Sequence, residues 1–234
     1  MLIGIVGKGK MGRLIESTAL SKGIEVAGCF DIYDHDQLRQ NVDVLVDFSH
    51  RDNLEWIVEY TRSHRNALVY GTTGLSEQDL QMLKSLSKEV PVFYSANYSL
   101  GIAVLKSVLE KVTPLLEDDF DIEILEKHHN QKKDAPSGTA LSLLEAVDPQ
   151  DQYEHVFGRQ GMTGARKKEI GVHALRGGTI AGEHTVYFCG PDEILSFSHE
   201  ALSRQIFVNG ALKAVLFLEE KPAGFYTMKE LIGE

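Results

Sequence analysis

The chain opens MLIGIVGKGKMG, residues Met1–Gly12, and this stretch decides how the rest is read. Leu2 to Val6 is an apolar run of strand length that breaks at Gly7, and Gly7, Gly9 and Gly12 then fall in GxGxxG spacing where a helix is predicted to begin, over 11–22. In that context each glycine has a physical reason. Gly7 permits a tight turn, Gly9 lets backbone approach a pyrophosphate, and Gly12 lets the helix pack closely, while the helix start supplies amide donors and the positive end of its dipole. Lys8, Lys10 and Met11 lie in the same loop and are candidates for contact with the same ligand. Asp31 ends the next predicted strand, where a carboxylate can bond both ribose hydroxyls of an adenosine. Strand, glycine turn, helix, strand and acid, in that order, predict a dinucleotide site. Ile32 rather than an arginine follows Asp31, which favours NADH over NADPH because a 2′-phosphate would meet a carboxylate. Lys8 and Lys10 pull the other way, so the cofactor is read as NADH or NADPH, leaning to NADH.

Working outward, the first half alternates short apolar runs with helical segments, the pattern of a parallel sheet with crossover helices. Strands are predicted near 2–6, 25–30, 42–48, 67–71 and 90–95, and helices near 11–22, 52–64 and 76–88. The last of these opens with Ser76 as a cap and Glu77 as a first-turn acid. From about residue 100 the rhythm changes: a helix over 101–116, the alternating FDIEILE, a polar stretch, then helical TALSLLEAV. Strands at 170–176, 179–189 and 193–199 follow in hairpin-like succession, with Gly177, Gly178 and Gly190 at turns, so this sheet is expected to be mixed or largely antiparallel. Residues 150–168 read as a long loop. A last helix near 203–219 is apolar enough to pack on a sheet and to return to the first domain. The expected fold is α/β: a Rossmann-type doubly wound parallel sheet from 1–99 plus 204–234, and a second α+β domain from 100–203.

Composition narrows the function classes. Of 234 residues, 43% are hydrophobic and 25% charged, and no apolar run approaches the roughly 20 residues that span a bilayer, so no membrane role is expected. The formal net charge of −10 disfavours nucleic acid as a partner. Met1 runs straight into a strand with no basic leader, and the two cysteines, Cys29 and Cys189, sit inside strand-like runs without CxxC spacing. Buried thiols in a reducing, cytoplasmic compartment are expected.

The densest chemistry is EKHHNQKKDAPSGTA, Glu126 to Ala140. It leaves a predicted strand and enters a predicted helix. Pro136 blocks helix before that point, and the amides after it, at Ser137, Gly138 and Thr139, are placed to grip an anion. His128, His129, Lys132 and Lys133 form a cationic patch on an acidic chain, suited to a small polycarboxylate substrate. Adjacent histidines on a strand point to opposite faces and no third ligand has metal-site spacing, so no metal is expected. Trp56 reads as a packing residue. His173, His184 and His199 read as satisfied polar positions in strands.

This block resembles the dihydrodipicolinate reductase family, whose segment E-x-H-H-x-x-K-x-D-A-P-S-G-T-A is matched at every fixed position. The resemblance extends over nearly the whole chain through GTTG at Gly71–Gly74, SANYS at Ser95–Ser99 and GEHT at Gly182–Thr185. It implies NAD(P)H-dependent reduction of a cyclic dicarboxylate in diaminopimelate and lysine biosynthesis. It further implies His128 and Lys132 as the catalytic pair, and His129, Ser137, Gly138 and Thr139 as substrate-binding residues. Gly7 to Gly12, Asp31, Gly71, Thr72, Thr73, Ser95, Ala96, Asn97 and Tyr98 would line the cofactor. A homotetramer built through the second domain is also implied. The glycine loop is one residue shorter than the commoner family version, and the segment between Asp31 and Val42 is abbreviated. Two other readings are weaker. A semialdehyde dehydrogenase would need a cysteine nucleophile with a base, and a nucleotide sensor would leave the Glu126–Ala140 block without a role.

Overall fold

The computed structural model describes residues 1–31, 33–38 and 41–234 and divides into two compact units, Met1–Leu100 with Gln205–Glu234, and Gly101–Arg204. In chain order the elements are β1 (Leu2–Val6), α1 (Lys10–Ser21), β2 (Glu25–Phe30), β3 (Val44–Asp47), α2 (Leu54–His64), β4 (Ala67–Tyr70), α3 (Glu77–Leu86), β5 (Pro91–Tyr94) and α4 (Leu100–Leu116). There follow β6 (Asp121–His128), α5 (Gly138–Val147), β7 (Glu154–Val156), β8 (Glu169–Arg176), β9 (Glu183–Gly190), β10 (Glu193–Glu200), α6 (Gln205–Leu218), β11 (Gly224–Tyr226) and α7 (Met228–Leu231).

The first unit is a six-stranded sheet of order β11-β5-β4-β3-β1-β2, parallel throughout, which bears out the doubly wound reading. β3 and β4 are buried along their whole length, as strands covered on both faces must be. Leu45, Leu68 and Val92 pack against Ile57, Val58, Leu83 and Leu86 of α2 and α3. Ser76 caps α3 in a reciprocal box, its hydroxyl accepting from the Asp79 amide at 3.2 Å while Asp79 accepts from the Ser76 amide at 2.8 Å. Trp56 is partly buried against this core. The C-terminal segment returns here through α6 and then adds β11 beside β5, a strand too short for periodicity to reveal.

The second unit is a mixed sheet, β10-β9-β6-β8-β7. The strict alternation of β6 turns Ile122 and Ile124 toward Leu105 and Leu109 of α4 and Leu143 and Leu144 of α5. Three expectations need correction. β8 and β9 do not form a hairpin: β6 lies between them, parallel to β8 and antiparallel to β9, and only β9 and β10 make a true hairpin. The segment 150–168 is not all loop, since β7 pairs with β8. Cys29 and Cys189 are free but half-buried rather than buried, and burial pushes the Cys29 thiol up to about 12. Among the described residues no helix is long and apolar enough to cross a membrane.

Candidate active site

In the first unit the strand order reverses between β1 and β3, and the crevice beyond the carboxyl ends of those strands is where open α/β sheets take ligands. Gly7 turns the chain there at φ 122°, and a Cβ on it would lie 2.3 Å from the Phe48 carbonyl oxygen. A Cβ on Gly12 would lie 1.7 Å from the Gly7 carbonyl oxygen, so α1 can sit this close only with glycine. Beside Gly9, by contrast, added Cβ would meet nothing within 4 Å. Two glycines are therefore spent on backbone packing, and the third leaves backbone open at the start of α1, a cradle that fits a pyrophosphate. Gly12→Ala is expected to weaken dinucleotide binding more than tenfold and to cost about 1–3 kcal/mol of stability by forced backbone displacement. Nucleotide fluorescence titration and thermal melting check both.

Asp31 follows β2, and its Oδ1 accepts from the Tyr33 amide at 2.9 Å. Asp34 accepts from the Asp31 amide at 2.8 Å and pairs with the Lys8 ammonium, which holds the Asp34 carboxyl below its ordinary range. Lys8, one of the two loop cations, thus has a carboxylate partner already. Ile32, whose identity bears on cofactor preference, lies outside the described residues. Lys10 begins α1 and is exposed, and Met11 is half-buried. In the loop after β4, Thr72 is buried and accepts from the Ser49 amide at 2.9 Å, while Thr73 is exposed. A Cβ on Gly71 would strike the Phe48 ring at 2.5 Å. Ser95 to Ser99 form a hydrogen-bonded turn: Ser95 Oγ donates to the Asn97 carbonyl at 2.7 Å, and Asn97 Oδ1 accepts from the Ser99 amide at 2.8 Å. Ala96 is exposed at its tip, and buried Tyr98 donates its hydroxyl to the Tyr70 carbonyl at 2.8 Å.

In the second unit the organising group is Glu126, which is 0% exposed. Glu126 and His128 are two apart on β6 and share the face that α5 covers. Arg176 of β8 stands opposite His128, and His184 of β9 stands opposite Glu126. Glu126 receives both Arg176 Nη atoms at 2.7 Å, His128 Nδ1 at 2.6 Å and the Ser137 amide at 3.0 Å. Burial pushes its pKa up, but the Arg176, His128 and Ser137 donors outweigh burial and hold it below the ordinary carboxylate range. An ionised carboxylate only accepts, so His128 Nδ1 carries a proton and Nε2 is the atom left for chemistry. Gly182, at φ 154°, keeps space beside it: a Cβ there would lie 3.1 Å from His128 Nε2.

Ser137 is buried, and its Oγ accepts from the Ala140 amide at 3.1 Å while sharing a 2.9 Å hydrogen bond with His184 Nε2. With its amide on Glu126, Ser137 holds the start of α5 in place. Burial pushes His184 down to about 4, so it stays neutral at physiological pH, with its ring 5.1 Å from that of His128. Beyond Ser137 the Gly138 residue is exposed at the helix start, and Thr139 is half-buried. Lys132 Nζ pairs with Asp134 at 2.9 Å, and this lowers the Asp134 carboxyl. Arg176 also donates to the Asp134 carbonyl at 2.7 Å, tying the loop to the Glu126 centre. His129 Nδ1 is buried with no hydrogen-bond partner among the described residues. The cluster therefore combines an oriented imidazole, an ammonium on a displaceable partner and an open helix start.

Family models give the decisive comparison. That for "Dihydrodipicolinate reductase, N-terminus" matches residues 1–98, and that for "Dihydrodipicolinate reductase, C-terminus" matches 101–232. The chain belongs to the dihydrodipicolinate reductase family. Among the relatives of this family, the 4-hydroxy-tetrahydrodipicolinate reductase of Caldanaerobacter subterraneus is 44% identical, with 96% of this chain and 94% of that protein covered. The corresponding enzyme of Rickettsia rickettsii is 40% identical, with 98% of each covered. The dipicolinate-bound dihydrodipicolinate reductase of Paenisporosarcina shares the fold at a TM-score of 0.79 and 21% identity, over 99% of each chain. The scyllo-inositol dehydrogenase of Lactobacillus casei, solved with NAD(H), aligns at a TM-score of 0.56 and 12% identity, over 99% of this chain and 93% of that one.

Within this dihydrodipicolinate reductase chain, sequence reasoning singled out His128, Lys132, His129 and the Ser137–Thr139 helix start, all of which lie on or beside the strand-exit loop of the second unit. It missed Glu126 as a centre, and it missed Arg176. The signal was partly present, since Glu126 and His128 share a strand face by their spacing of two. Nothing local indicated that Arg176 would be paired across from them. The GEHT run also acquires a physical account: Gly182 makes room for His128, Glu183 pairs with Lys127 at 2.6 Å, His184 bonds Ser137, and Thr185 bonds Ser198 at 2.7 Å.

Proposed function

We infer that the chain reduces 4-hydroxy-tetrahydrodipicolinate to tetrahydrodipicolinate, with loss of water, in diaminopimelate and lysine biosynthesis, using NADH in preference to NADPH. The observation that carries the reading is the Glu126 centre, which fixes the orientation of His128 and, through the Ser137 amide, the start of α5. The stretch 1–99 with 204–234, one residue off the bounds of the first unit, is the dinucleotide-binding domain, and 100–203 is the substrate domain. Gly7–Gly12, Asp31, Gly71–Thr73 and Ser95–Tyr98 line the cofactor.

The substrate is a ring carrying two carboxylates. His129 and the amides at Gly138 and Thr139 hold one, at the positive end of the α5 dipole. Lys132 exchanges Asp134 for substrate. When bound, the reduced nicotinamide supplies a hydride to a conjugated ring carbon. Negative charge then spreads over the conjugated system, and a cation fixed beside it stabilises the transition state more than the ground state. The ring becomes conjugated when its hydroxyl and a hydrogen of the adjacent ring carbon leave as water; after hydride addition, Lys132 holds the charge and delivers one proton to the ring carbon beside the one that took the hydride. His128, locked by Glu126 with Nε2 forward, is the second proton-transfer group, and Ser137 acts by fixing the helix start rather than by touching substrate.

Two observations support NADH. Asp31 lies at the end of β2, and the Lys8 charge that could meet a 2′-phosphate is matched by Asp34. Asp34→Asn is expected to shift the kcat/KM ratio toward NADPH by about two- to fivefold, the scale of one exposed ion pair. Initial rates with each nucleotide and synthase-generated substrate test the whole reading: turnover faster with NADH supports it, and nucleotide binding without turnover removes the assigned reaction.

A homotetramer through the second unit is part of the same reading. The face of its sheet away from α4 and α5 carries Leu125, Leu175, Tyr187 and Ile194 by strand register, with Leu175 44% and Ile194 69% exposed. Free Cys29 and Cys189 suit a reducing cytoplasm.

A further inference from the structure

Asp47 is the last residue of β3 and is 0% exposed. A carboxylate in such a place is costly unless its lone pairs are met, and an aliphatic side chain would fill a core position at less cost. Its Oδ1 accepts from Ser49 Oγ. That Oγ accepts in turn from Asn53 Nδ2, at the start of α2, at 2.8 Å. The Ser49 amide reaches Thr72 Oγ1 in the loop after β4, and the Asp47 carbonyl accepts from the Gly71 amide at 2.8 Å. The end of β3, the loop after it, the start of α2 and the loop after β4 are thus joined around one carboxylate. Asp47 Oδ2 has no hydrogen-bond partner of good geometry among the described residues. Burial pushes the Asp47 pKa up to about 6, against the Ser49 hydroxyl and the Thr72 hydroxyl and amide, which favour its ionised form.

What this carboxylate holds is the wall of the crevice where the strand order reverses. Next to it, Phe48 closes on three of the runs assigned to the cofactor. Its carbonyl oxygen occupies the place of a Gly7 Cβ, its ring occupies that of a Gly71 Cβ, and the ring centre lies 5.2 Å from that of Tyr98. A shift of Phe48 or Ser49 would therefore move the glycine turn, the Gly71–Thr73 loop and the Ser95–Tyr98 turn together.

We propose that Asp47 is a positioning residue of the dinucleotide site, clamping the Phe48–Ser49 and Gly71–Thr72 segments in the geometry that receives the nucleotide. The proposal rests on the dinucleotide reading of the first unit. Direct titration of the full-length chain with NADH, followed by nicotinamide fluorescence, tests both separately, because a wild-type chain that fails to bind NADH overturns the reading and the proposal with it. Given wild-type binding, Asp47→Ala is expected to weaken NADH about tenfold or more, the scale of a lost hydrogen bond to a charged group, while kcat at saturating NADH changes less than about threefold. Asp47→Asn keeps an acceptor for Ser49 and is expected to recover most of that affinity. Ser49→Ala cuts the same link from its half-buried side and is expected to weaken NADH by about threefold or more with an unchanged melting profile. It decides the matter if Asp47→Ala does not fold. Wild-type NADH affinity in a folded Asp47→Ala, or in Ser49→Ala, overturns the proposal, as does a parallel loss of kcat and of affinity for both substrates.

Discussion

Lys132→Ala is expected to lower kcat by about a hundredfold to ten-thousandfold, the contribution of one positioned acid, and to leave NADH affinity within about twofold. The asymmetry follows from where the residue stands. Lys132 lies in the loop leaving β6 and pairs with Asp134, in the same loop. The proposed dinucleotide cradle, Gly7–Gly12 with the ends of β2 to β5, belongs to the other unit. Lys132→Arg keeps a cation but replaces a compact, proton-yielding ammonium with a guanidinium that stays protonated, so it is expected to restore substrate KM more than kcat. Steady-state kinetics beside NADH titration separates the two effects. A mutant with wild-type kcat would remove Lys132 from the reaction.

The largest effect on stability belongs to Glu126→Ala. Removing the carboxylate leaves Arg176 without its buried partner, frees His128 Nδ1 and strands the Ser137 amide, a loss expected to cost about 3–5 kcal/mol. Activity falls as well, since His128 loses its orientation and α5 its anchored start. Urea unfolding followed by circular dichroism measures the first and kcat the second, and a wild-type unfolding midpoint would show that Glu126 organises nothing. The sign of the pH dependence follows from the lowered pKa. Its unfolded value is near the ordinary 4.5 and its folded value is lower, so this stabilisation is fully present above that pH and is lost as pH falls through the folded value. Acid unfolding of the wild type is therefore expected to begin below about pH 4.5, and to shift least with pH in Glu126→Ala.

Much of this architecture is legible without coordinates because it rests on interactions between near neighbours in the chain. The glycine turn after β1, the Ser76 cap of α3, the largely apolar strands of a doubly covered sheet and the alternation of β6 are each fixed by a few consecutive residues. The same holds for the Glu126–Ala140 block, where strand exit, Pro136 and the helix start at Ser137 are local features. What the chain's order could not reveal is pairing between distant segments. β8 and β9 follow one another closely and read as a hairpin, yet β6 inserts between them, and no local period encodes that choice.

That insertion decides the candidate active centre. It sets Arg176 on one side of Glu126 and His128 and sets His184 on the other, so that an acid read as the edge of a motif becomes its buried hub. The same limit hides Asp47 and Asp34. No local pattern singles out either one, until the fold buries the first and sets the second against Lys8. A residue's type and spacing fix what chemistry it can offer, because bonding capacity and chain geometry are local. Which partners it meets, and so its charge, orientation and access, is fixed by tertiary packing, because burial and strand register are properties of the whole chain.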